Sequence, residues 1–216
     1  NYKTYDPVGE LYYAALRYYK NLGNVPAWTT ASADGPTNKK YGDGFPVITS
    51  WNDPIQYACQ KNFILGIGDV NSHADKNVPG GGSSNNEPTR PTELGTDPVN
   101  ATDMTNKVGV MQGLGTSLGT VENYNGCCNN NSALMAGLAY HANTQDIRPD
   151  NKSVKQTIGK QTVQTYWMDV LEYQTYKKNN QYYLAALYGG FTVPDDFDAN
   201  TNTAPLPQAW WVSASA

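Results

Sequence analysis

A chain of 216 residues, 39% hydrophobic and only 16% charged, with a formal net charge of -4, has the length of one domain with a sizeable core, or of one domain carrying long insertions. No run of Lys and Arg exceeds a pair (Lys39-Lys40, Lys177-Lys178), so the concentrated basic footprint needed for nucleic-acid binding is missing. No stretch reaches the roughly 18 to 20 apolar residues that cross a bilayer, and 20 Gly with 13 Pro point to a turn-rich, weakly charged surface of extracellular type.

From the amino end, Asp6-Pro7-Val8-Gly9-Glu10 reads as a helix start, with Pro near the first turn and an acid in it. Leu11, Ala14, Ala15, Tyr18 and Tyr19 recur at helical spacing, which makes one apolar face, and Gly23 is the expected stop. Residues 24 to 58 carry Pro26, Pro36, Pro46 and Pro54 and read as a long loop with a brief strand at Phe45 to Thr49. Trp28 and Trp51 are expected to pin that loop, and a short helical turn is expected at 53 to 57.

The segment Asn62 to Gly68 is a continuous apolar and glycine run, expected to be a strand buried on both faces of a parallel sheet. Asp69 then lies at the carboxyl edge of that sheet, where open α/β folds place ligands; it serves there either as a ligand-edge carboxylate or as the cap of the next turn. Residues 70 to 105, with Gly80-Gly81-Gly82-Ser83-Ser84-Asn85-Asn86 and Pro88 and Pro91, have the composition of an insertion that cannot form a core and lies over the surface. The alternation of Gly with apolar residues over 107 to 121 gives either a close-packed loop or a short helix.

A helix is expected from Ser132 to Thr144, a second strand over Gln161 to Val170, and a helix from Asn180 that stops at Gly189-Gly190. Strand, helix, strand, helix is an α/β order with a parallel sheet. In the tail, oxygen-bearing side chains at Asp196, Asp198, Asn200 and Asn202 follow the alternating spacing of a calcium loop, without its glycine or its late glutamate; the competing reading is an acidic solvated turn. Pro205 to Trp211 is expected to be an extended segment docked by Trp210 and Trp211.

The three cysteines are Cys59, Cys127 and Cys128. Vicinal cysteines seldom pair with each other, so in an oxidising compartment Cys59 would bridge to Cys127 or to Cys128. No serine or cysteine sits in a nucleophile elbow, and neither His73 nor His141 is tied by spacing to a second carboxylate. A non-enzymatic role is therefore expected.

Several blocks, in this order, resemble the amino-terminal region of the PilY1/PilC family of type IV pilus tip-associated proteins. They are Asp6-Pro7-Val8 with Glu10-Leu11-Tyr12-Tyr13, Ala15 to Tyr19, Asp53-Pro54-Ile55-Gln56-Tyr57, Cys59 to Ile64, Gln161 to Tyr166 with Asp169-Val170, Tyr188-Gly189-Gly190-Phe191, and Pro205-Leu206-Pro207 before Trp210-Trp211. The resemblance implies a von Willebrand factor A-like, doubly wound, mostly parallel sheet with long loop insertions, present whole or as its later part within a single domain spanning 1–216. It further implies an adhesion-type Mg²⁺ or Ca²⁺ site in which Asp69 takes the last position. No Asp-x-Ser-x-Ser loop occurs in the chain, so either residues upstream complete that site or adhesion runs through loops without a required metal. The implied setting is extracellular, at the cell surface or pilus tip. The implied roles are adhesion to a host or abiotic surface through loops at the sheet's carboxyl edge, or capping and priming of the pilus by contact with minor pilins.

Overall fold

In a computed structural model, which describes residues 6–29, 47–82, 89–124, 131–171 and 175–212, the first element is helix α1, Val8–Lys20. Glu10 in its first turn and Arg17 and Lys20 in its last complement the helix dipole. The helix stops at Asn21, in the left-handed conformation, two residues before the expected glycine. Its inward face is Tyr12, Tyr13 and Leu16, while Leu11 is 65% exposed, so the helix is rotated from the face expected on apolar spacing alone. The reason lies in the hydroxyls, because a buried tyrosine needs a partner for its O–H. Tyr12 shares a 2.7 Å hydrogen bond with Thr165 Oγ1 and Tyr13 donates to Asp97 Oδ2 at 3.0 Å.

A single turn, α2 (Pro26–Thr29), brings Trp28 edge-on to Tyr13, and Trp51 packs likewise on Tyr18, with ring centroids 5.7 Å apart. Both tryptophans therefore anchor the loop as expected. Asp53 adds a stronger tether, accepting two hydrogen bonds from the Arg148 guanidinium at 2.6 and 2.9 Å, which holds its carboxyl below the usual range. Residues 53 to 57 form bends rather than a helix, and 47 to 49 form no strand; 45 and 46 lie outside the described residues.

Strands β1 (Asn62–Gly68) and β2 (Val163–Asp169) pair in parallel, in register from Asn62 against Val163 to Gly68 against Asp169. Among the described residues this sheet has two strands, so the wider doubly wound sheet does not form within them. Thr192 makes one backbone bond, to the carbonyl of Trp210, and no strand. The strand at 62 to 68 is also not buried on both faces. Phe63, Leu65 and Ile67 are exposed, and only the opposite side packs inward.

Helix α3 (Ala101–Gln112) resolves the glycine-rich region. Asn100 caps it by accepting from the amide of Asp103, and Gly113 ends it in the left-handed conformation. Helices α4 (Leu134–Thr144) and α5 (Gln181–Gly190) follow as expected. Where α4 crosses α3, Gly137 lies against Thr105 and the carbonyl of Ala101, and where α5 crosses α4 and β2, Gly189 lies against Ala139 and Thr165. The first core cluster joins α1, α4 and the inner side of the sheet, and the second joins α3, α4, α5 and the carboxyl-terminal segment through Leu206. Of the terminal aromatic pair only Trp210 docks, stacking on Phe191, whereas Trp211 is exposed.

The described residues of the segment 70 to 105, namely 70–82 and 89–105, contribute to the core rather than lying over it as an insertion. Val70, Val78, Leu94, Val99 and Ala101 all belong to the first cluster. Several of its backbone groups are satisfied from within the protein, as burial requires. Glu10 accepts from the amide of Asn77, Pro79 accepts from the amide of Ala101, and Arg90 donates to the carbonyls of Lys76, Gly81 and Gly82. Sparse apolar residues hide such a segment from a composition argument, because each is buried singly.

Candidate functional site

The carboxyl edge of the sheet is where the sequence places a binding site, and both strands end there in the same way. Gly68-Asp69-Val70 and Met168-Asp169-Val170 each put an aspartate on the last strand position or just after it. Asp69 Oδ1 accepts from the amide of Asn71 at 2.8 Å, and Asp169 Oδ1 accepts from the amide of Leu171 at 3.1 Å. Each side chain thus folds the turn that follows it, the Asx geometry that makes aspartate a turn initiator. The second oxygen of Asp169 accepts from Asn180 Nδ2 at 3.0 Å. Asn180 simultaneously caps α5 by accepting from the amide of Tyr183, so strand end and helix start are fixed to each other.

Tyr182, on the first turn of α5, donates to the carbonyl of Asp69 at 2.5 Å and stacks its ring on Trp167, centroids 4.3 Å apart. Burial, followed by the negative charges of Asp69, Asp75, Asp169 and Asp6, keeps its phenol firmly protonated. Gln181 reaches behind it to the carbonyl of Val70 at 2.7 Å, and Ser72 donates to Asp75 Oδ2 at 2.8 Å. Among the described residues no three His, Cys, Asp or Glu side chains form a group able to hold a metal ion. Of the two loops leaving this edge, the one after β1 turns inward, with Val70, Ser72 and residues 74–79 buried, while residues 175–178 after β2 are exposed.

The tail residues are held by one another and by the chain around them. Asp198 accepts from the amide of Asn200 and from Thr201 Oγ1, both at 2.8 Å, which draws its carboxyl below the usual range. Asn202 points its amide at Met111 and at the carbonyl of Ala204, and Asp196 faces solvent. Asp198 and Asn200 line an open cleft of about 480 Å³ together with Asp146, Asp150 and Lys160. Cys59 is exposed, and its expected partners, Cys127 and Cys128, lie outside the described residues.

The two histidines are far apart in role. His73 lies 3.6 Å from Asp6. His141 sits on α4 with Nδ1 buried and without a hydrogen-bond partner among the described residues, and burial, reinforced by the Lys20 charge, lowers its pKa to about 4. The unfolded chain then takes up this proton first. Stability from this group is complete above pH of about 6.5 and is lost as pH falls toward about 4, by at most about 3 kcal/mol. A His141→Gln variant is expected to unfold at a urea concentration that changes less between about pH 7 and pH 5 than that of the parent; equal slopes would mean the imidazole is solvated in the native state.

What the edge and the core define is a helix-backed parallel β unit with aspartate-locked strand ends, a non-repetitive α/β module. A family model described as "PilY1 homolog, second domain" matches residues 2–142. The curated "Type IV pilus biogenesis factor PilY1 homolog" of Xylella fastidiosa (strain Temecula1) is 42% identical over 227 residues, a match that takes in 99% of this chain and 18% of that protein. The chain belongs to the PilY1-like family. It spans less than a fifth of the length of the relative it matches, and no solved structure matches it.

The sequence alone missed Asn180 and Tyr182 as the residues that organise this edge. A signal existed, since an Asp-Val pair stands at the carboxyl end of each strand, and a polar Asn before a helix is an N-cap signature.

Proposed function

We propose that this chain is a module of a type IV pilus-associated protein displayed outside the cell, at the pilus tip, where it binds rather than catalyses. The observation that supports the pilus setting is the 42% identity to a pilus biogenesis factor across 99% of the chain. In the finer part of the proposal, the module contributes to attachment to a host or abiotic surface through the exposed loop 175–178 at the sheet's carboxyl edge, and it requires no metal. The architecture assigned to it is the later part of a von Willebrand factor A-like domain, consistent with parallel strands backed by helices. Similarity to a pilus biogenesis factor supports a second reading, in which the module caps or primes the pilus by contacting minor pilins.

One experiment separates the two. In the full-length protein, Tyr176→Ala combined with Lys177→Ala and Lys178→Ala is expected to reduce attachment several-fold at an unchanged number of surface pili. A fall in pilus number would support the capping and priming role instead, and parental values for both would remove the loop from either role.

A further inference from the structure

We draw no further inference here: the strongest candidate, the apolar outer face of the two-stranded sheet where Leu65, Ile67 and Met168 stand exposed, carries nothing because nothing in the structure shows what covers it.

Discussion

Replacing Asp97 by alanine is expected to cost about 3–5 kcal/mol of stability, the largest loss from a single side chain outside the apolar core. Asp97 Oδ1 meets the Lys20 ammonium and accepts from the amide of Val99, and Oδ2 accepts from Tyr13. The Lys20 side chain is 7% exposed and that of Asp97 is not exposed at all. Desolvation lowers the Lys20 pKa despite the carboxylate beside it. Arg17 lies next to the pair, donating to Tyr13 Oη and to the carbonyls of Leu22, Gly23 and Glu93. Removing the carboxylate therefore leaves two cations facing each other out of water. A paired change, Lys20→Met with Asp97→Leu, removes both buried charges and is expected to recover most of the loss, since the desolvation cost disappears with them. Urea unfolding of the single and paired variants reads both effects. An Asp97→Ala loss below about 1 kcal/mol would show that the pair behaves as a solvated surface bridge.

Gly137→Ala is expected to destabilise by about 2–3 kcal/mol or more, against the stabilisation of about 1 kcal/mol that alanine brings to an ordinary helix interior. A methyl group at this position would lie 2.3 Å from Thr105 Oγ1, 2.4 Å from the Thr105 nitrogen and 2.6 Å from the Ala101 carbonyl oxygen. Two of these three are backbone atoms of α3, which cannot rotate away as a side chain could. The helices must separate, and Ala101, Leu134 and Leu138, all fully buried, lose contacts on both sides of the gap. Gly95→Ala is the matched control, because a methyl group there meets nothing within 4 Å. A thermal midpoint for Gly137→Ala equal to or above the parent's would mean that α3 and α4 do not meet as closely as described.

Helices α1, α4 and α5 and both strands were legible in the sequence because each carries a period and a terminator: Asn180 before α5, the 62–68 run, the alternation over 163–169. What was not legible depends on partners distant in sequence. The inward rotation of α1 is set by Thr165 and Asp97, far from Tyr12 and Tyr13 along the chain. The burial of 74–79 depends on Glu10 and Arg90 engaging the backbone of that stretch, and α3 was obscured because Gly109 and Gly113 interrupt the apolar pattern while serving contact with Leu118 and the C-cap. For Asp69, composition left ligand and turn cap open; the geometry shows its oxygen engaged by Asn71 and its carbonyl by Tyr182.

The pairing of β1 with β2 also sets a schedule. Asn62 Nδ2 reaches the carbonyl of Thr162 across 100 residues of chain, and every rung of the ladder has a comparable separation. Non-local parallel pairing of this kind folds slowly, because the loop must close before any contact rewards it. Until Val163 to Asp169 has been synthesised or delivered, Phe63 to Ile67 carries apolar side chains on both faces and an unpaired edge on both sides, the condition under which chains associate wrongly. For a polypeptide synthesised progressively, amino end first, the residues 69 to 162 between the strands are an interval of vulnerability. A chain cut short before Val163 is expected to be rescued by holding chaperones rather than to persist as a partially folded module.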